Sequence, residues 1–194
     1  MKKDIILSGV GGQGILSIAT VIGEAATLAG INLKQAEVHG MSQRGGDVQS
    51  NLRLSTETIY SDLLAQGGAG LIIAMEPMEA LRYLTYLSPE GWIVTSSNPL
   101  VNIPNYPDQA AMLAELQALP HVKMAHIDDV ARQNHLPRGA NMVLLGMAAP
   151  YLEIVSVDQL RQAVAHVFNR KGEKVVENNL KAFDIGLQLV SANL

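Results

Sequence analysis

The feature that most constrains this chain is a glycine cluster, Gly9-Val10-Gly11-Gly12-Gln13-Gly14, between a short apolar run and a long helical pattern. Asp4 to Ser8 reads as a buried strand. Gln13 to Ala29 reads as a helix, with Gly30 as its stop. Four glycines at this junction let the backbone turn tightly and let a ligand approach it closely. The helix start adds free N–H groups and the positive end of the helix dipole. Gly9, Gly11, Gly12, Gln13 and Gly14 are therefore candidate contacts for a phosphate, pyrophosphate or carboxylate. The same spacing also serves a plain strand-to-helix turn that holds nothing.

A second glycine segment follows. Leu33 to Val38 reads as a strand, and Val48 to Ser55 alternates apolar and polar residues as a half-exposed strand does. Only the nine residues His39 to Asp47 join them. A parallel crossover needs about a dozen residues or more. The two strands are thus expected to be antiparallel neighbours or to lie apart, in a sheet that is mixed but mostly parallel. The connecting loop carries His39, Ser42, Gln43 and Arg44 beside Gly40, Gly45 and Gly46. Arg44 is a two-pronged donor suited to carboxylate or phosphate. Ser42 and Gln43 donate or accept, and His39 can titrate near neutrality. A solvated hairpin loop has the same composition. If this loop converges on the first glycine turn, an anion site is favoured. Glu37 stands about where a dinucleotide fold places its ribose-binding acid, although an ordinary strand-end charge is the preferred reading.

The remaining pattern alternates strands and helices. Gly70 to Met75, Trp92 to Thr95 and His121 to Ile127 read as strands. Pro77, Gln109 and Asp128 open helices, and three prolines make 98–108 an extended loop. After Gly139 the pattern is helical only, with a capping box at Ser156-Val157-Asp158-Gln159 and a last helix running to about Ser191. The expected class is α/β: a three-layer α/β/α domain over residues 1–194, with a Rossmann-like first βα unit. In the helix after the glycine turn, Ser17, Thr20, Glu24 and Thr27 form one narrow polar stripe. Such a helix should pack on the sheet and against a second surface, such as another protein chain. Hydrophobic residues make up 48% of the chain but aromatics only 4%, so the core must be aliphatic.

Composition also excludes chemistry. With no cysteine, the chain has no disulfide, thiolate nucleophile, cysteine-bound zinc or iron–sulfur cluster of its own. A net charge of -4 without a basic patch argues against nucleic acid. No signal or membrane-length apolar run is visible, so a cytoplasmic location is expected. His121 and His126 are expected on opposite faces of a strand and make no shared metal site. Asp128-Asp129, and Glu76 with Glu79, read as helix-start charges. Lys171 to Lys174 reads as a charged loop or a phosphate contact. No catalytic residue is evident.

The two glycine segments together resemble the gamma domain of 2-oxoacid:ferredoxin oxidoreductases, in particular the small beta subunit of the indolepyruvate enzymes. The resemblance continues at Gly139-Ala140-Asn141-Met142, Leu145-Gly146, Lys171-Gly172, Asn179, Ala182-Phe183 and Gly186, and so spans nearly the whole chain. It implies oxidative decarboxylation of a 2-oxoacid, an aryl pyruvate in the indolepyruvate branch. Thiamine diphosphate, magnesium and iron–sulfur clusters would sit in a larger alpha subunit. Coenzyme A would be the co-substrate and ferredoxin the electron acceptor. This chain would be inactive alone, with its two glycine loops facing the partner. The competing readings are a free-standing Rossmann protein binding NAD or FAD, and a small nucleotide-binding regulatory module.

Overall fold

The computed structural model describes residues 1–39 and 45–191. Six strands form one sheet in the order β2-β3-β1-β4-β5-β6. They are β1 (Lys2–Val10), β2 (Asn32–His39), β3 (Asp47–Ser55), β4 (Ala69–Ala74), β5 (Leu87–Ser96) and β6 (Val122–Ala125). β3 runs antiparallel to both β1 and β2, while β1, β4, β5 and β6 pair in parallel. The sheet is mixed and mostly parallel, as expected. The short 39–47 connection sets β2 and β3 side by side, with Asn32 opposite Ser55 and His39 opposite Val48.

Both faces of the central strands are buried, as parallel strands require. Ile5, Leu7, Leu71, Ile73 and Val94 join the larger core. Ile6, Ile72, Ala74 and Ile93 join a smaller core on the opposite face. Over the larger core lie α1 (Ile15–Leu28), α4 (Ile127–Gln133), α5 (Ala140–Leu152), α6 (Val157–Phe168) and α7 (Glu173–Ser191). α2 (Pro77–Arg82), α3 (Gln109–Ala118) and the irregular 56–68 segment cover the other face. The three-layer α/β/α arrangement is thus present, with unequal outer layers. No helix among the described residues is long and apolar enough to cross a membrane.

Three sequence expectations need correction. β3 is not half-exposed. Asn51 and Ser55 on its polar face are buried. Arg53 is held by a two-pronged pair with the buried Asp4, at 2.9 and 3.1 Å. Its Nη1 also donates to the carbonyls of Ser61 and Leu63. The face looks polar because it buries a satisfied ion pair under the 56–68 segment. Second, β6 stops at Ala125, because the fully buried Ile127 already belongs to the first turn of α4. Third, the second surface beside α1 comes from this chain. α6 lies along it, and Glu24 Oε1 meets His166 Nδ1 at 2.6 Å. Thr20 and Thr27 turn their hydroxyls back to the carbonyls of Leu16 and Gly23.

The helix that is buried nearly all round is α5, whose residues from Met142 to Ala149 are all inaccessible or nearly so. It lies between the sheet and α7. Two glycines allow the close crossing of α5 and α7. A methyl group on Gly146 would overlap the Phe183 carbonyl, and one on Gly186 would overlap the Val143 carbonyl. The obstacle is backbone on both sides, so no rotamer change can relieve it. At an ordinary helix position Gly→Ala stabilises by about 0.5–1 kcal/mol. Gly186→Ala should instead destabilise the chain by about 3 kcal/mol, as overpacking does. Chemical denaturation measures the sign. A more stable variant would show that the helices can separate at little cost.

Candidate functional site

β1 ends at Val10, and the chain then makes a tight turn closed by Gln13 N–H on the Val10 carbonyl at 3.1 Å. Gly12 takes a positive φ of 103° at the third position of that turn, which a residue with a side chain tolerates poorly. Gly14 is left-handed too, at φ 88°, and caps α1 without a side-chain hydrogen bond. The Gln13 side chain braces the turn. Its Oε1 accepts from Val10 N–H at 2.8 Å, and its Nε2 donates to the Met75 carbonyl at 3.3 Å. A Cβ on Gly9 would lie 3.0 Å from both Gln13 Oε1 and Ile15 Cδ1, a tight fit that these side chains would have to yield to.

The second glycine segment returns beside the first because β3, not β2, is the neighbour of β1. Gly11 N–H donates to the Gly46 carbonyl at 2.8 Å, and Gly45 N–H to the Gly11 carbonyl at 3.4 Å. The convergence expected from sequence is therefore present at Gly45 and Gly46. Ser42, Gln43 and Arg44 lie outside the described residues. The pairing occupies the N–H groups of Gly11 and Gln13. Those of Gly12, Gly14, Ile15 and Leu16 have no partner among the described residues, so these four N–H groups remain as donors around the turn. β3 also separates β1 from β2. Glu37 is thus not on the strand next to the glycine turn, where a ribose-binding acid would stand.

A third segment reaches this end of the sheet, and the sequence did not signal it. Glu76 caps α2 by accepting from Glu79 N–H at 3.0 Å, as a helix-start acid should. It is also fully buried. Its other oxygen accepts from Leu100 N–H at 3.2 Å and from the Tyr106 hydroxyl through a very short hydrogen bond. One carboxylate thereby gathers the 97–108 loop. Burial, then the bond to Glu76, raises the Tyr106 pKa far above its ordinary value, so the phenol stays protonated and donates. The Glu79 carboxyl is also pushed up by burial, against the opposing pull of Arg82. From this anchored loop, Asn102 Nδ2 donates to the Gly45 carbonyl at 2.7 Å.

Asn141 approaches from the other side. Its Nδ2 donates to the Gly14 carbonyl at 3.3 Å, and its Oδ1 accepts from Met142 N–H at 2.9 Å. A Cβ on Gly14 would lie 2.6 Å from that amide nitrogen. The Gly139-Ala140-Asn141 segment therefore reaches the glycine turn across 127 positions, a contact that no local pattern could reveal.

The chain matches the family described as pyruvate ferredoxin/flavodoxin oxidoreductase over residues 4–189. The chain belongs to this family. The resemblance seen at the glycine segments is borne out. One relative is an indolepyruvate oxidoreductase subunit of Archaeoglobus fulgidus, 31% identical over 96% of this chain and 94% of the relative. Among solved structures, the gamma subunit of a keto/oxoacid ferredoxin oxidoreductase from Geobacter sulfurreducens superposes with a TM-score of 0.72. It is 25% identical, over 98% of this chain and 99% of that one. A 2-oxoglutarate:ferredoxin oxidoreductase chain from Magnetococcus marinus, whose structure holds 2-oxoglutarate, coenzyme A and succinyl-CoA, shares the fold with a TM-score of 0.75 at 24% identity. This chain covers 31% of that longer chain. The family fold thus occurs both as a separate subunit and as one segment of a larger chain.

Tyr106→Phe tests the anchor. It leaves the buried Glu76 short of one donor and should cost about 1–3 kcal/mol. Denaturation midpoints read this, and a variant as stable as the parent would mean that Leu100 and Glu79 alone satisfy the carboxylate.

Proposed function

We propose that this chain is the small, gamma-type subunit of a thiamine-diphosphate-dependent 2-oxoacid:ferredoxin oxidoreductase, with an indolepyruvate or another aryl pyruvate as substrate. The observation that carries this reading is the end-to-end similarity to an indolepyruvate oxidoreductase subunit of nearly equal length. The whole chain, 1–194, would act as one domain in the cytoplasm. The complex would decarboxylate the 2-oxoacid oxidatively, transfer the acyl group to coenzyme A and send electrons to ferredoxin.

The residues present divide the labour. Iron–sulfur clusters need thiolates, and this chain has no cysteine. The described residues also contain no cluster of three metal-ligating His, Asp or Glu side chains. Clusters, magnesium and thiamine diphosphate would sit in a larger alpha subunit. This chain would contribute the paired glycine segments at the subunit boundary. The N–H groups of Gly12, Gly14, Ile15 and Leu16 suit an anionic group, such as a substrate carboxylate or a coenzyme A phosphate. Arg44 would supply the countercharge, oriented by Ser42 and Gln43. Gln13, Asn102 and Asn141 would hold these segments in place rather than touch the ligand.

The experiment is reconstitution of the subunit with its larger partner. The isolated chain should turn over no 2-oxoacid, and the pair should reduce ferredoxin. Arg44→Ala should raise KM for the 2-oxoacid or for coenzyme A at least tenfold, the loss of one charge-assisted contact. Unchanged KM for both would remove Arg44 from the site. Turnover by the isolated chain would remove the subunit assignment.

A further inference from the structure

β6 ends the sheet and has a neighbouring strand on one side only. Toward β5, Ile93 N–H donates to the His121 carbonyl at 2.8 Å, and Ser97 N–H to the Ala125 carbonyl at 2.9 Å. In a parallel pair the two main-chain groups of one residue point to the same side, and successive residues alternate. The groups of His121, Lys123 and Ala125 therefore face β5. Those of Val122 and Met124 face the open edge, where no hydrogen bond takes them up among the described residues.

A groove of about 360 Å³ opens beside this edge, between β6 and α3. Leu113, Leu119, Val122 and Met124 make its apolar wall, and Ser97, Gln117 and His126 add polar groups. Ser97 is only 7% exposed, yet its hydroxyl has no hydrogen-bond partner among the described residues. It stands in step with Ile93, on the face of the sheet that packs against Leu116 of α3, and so points into the groove. A buried hydroxyl left without a partner is unfavourable, and an occupant that bonds to it removes that penalty.

The other face of the edge carries a charge. Lys123 Nζ lies 6.0 Å from the Trp92 ring centre and has no ion pair among the described residues. A lysine on an edge strand discourages pairing with a like strand. A second copy set with its Met124 against Val122 would bring two Lys123 ammoniums opposite one another. The edge thus selects a strand that carries a carboxylate at this level.

We propose that the β6 edge and its groove dock an extended segment of another polypeptide, with apolar and acidic residues in alternation. Its main chain pairs with Val122 and Met124, an apolar side chain enters the groove, and a carboxylate meets Lys123. Strand addition of this kind draws affinity from main-chain bonds and specificity from the pockets that alternate side chains fill. A small apolar molecule would leave the outward N–H and C=O groups unpaired, so the occupant is a polypeptide. β4 and β5 separate this edge from β1 and its glycine turn, and the inference does not rest on the subunit assignment.

The test is calorimetric titration of the full chain with a short blocked peptide that alternates leucine and glutamate. It should bind saturably. The same peptide with lysine in place of glutamate should bind at least tenfold more weakly. So should the acidic peptide with its main-chain nitrogens methylated, which removes the donors that pair with the edge. Lys123→Glu should reverse the order of the acidic and basic peptides at an unchanged melting temperature, because that side chain makes no ion pair. Met124→Pro removes an N–H that β5 does not use and should weaken the acidic peptide as much as methylation does. Absence of saturable binding, equal binding of the acidic and basic peptides, indifference to methylation, or self-association through β6 that excludes the peptide would each overturn the proposal. None of these outcomes bears on whether the chain completes a larger oxidoreductase.

Discussion

The architecture depends on the antiparallel insertion of β3 between β1 and β2. In a plain parallel βαβ unit the second strand would lie directly beside the first and deliver its loop to the same edge, but no antiparallel strand would start there to pair with the glycine turn. Here β3 starts where β1 ends, and backbone pairing continues past the strands into Gly11, Gly45 and Gly46. The two glycine segments are thus consecutive rungs of one ladder. That pairing consumes backbone donors on one side of the turn and leaves those that face α1. The side chains of Gln13 and Asn141 and the 97–108 loop all add to this geometry from outside.

Much of this was legible because it is local. The glycine turn, the Pro77 helix start and the capping box at Ser156 each depend on neighbours within a few positions, and all three are present. The antiparallel β2–β3 pairing followed from chain length alone. What escaped were roles set by distant partners. Glu76 reads locally as a helix cap, which it is, but its bonds to Leu100 and Tyr106 depend on the return of a loop about 25 to 30 positions on. Arg53 reads as a solvent-facing residue of an alternating strand. Only its pairing with the buried Asp4, 49 positions earlier, makes it a half-buried one. The covering of α1 was anticipated, but its source was not, because periodicity shows that a face is buried and never what buries it.

The absence of cysteine takes on a different weight in this setting. In a family named for ferredoxin or flavodoxin, a chain without thiols offers a rigid fold and free backbone donors but no thiolate ligand. The aliphatic core suits that work. α5 and α7 touch backbone to backbone at Gly146 and Gly186, which gives the glycine turn a stiff support through Asn141 in the first turn of α5.

The burial of Glu76 has a consequence for motion. A carboxylate shielded from water cannot lose the Tyr106 hydroxyl and the Leu100 amide without standing uncompensated in the interior. The 97–108 loop and the first turn of α2 are therefore joined in one opening event: neither can fray while the other stays closed. Because Asn102 rides on that loop and holds Gly45, the same event loosens the second glycine segment. Slow amide exchange in the three segments should thus share one opening free energy, set at a single buried carboxylate.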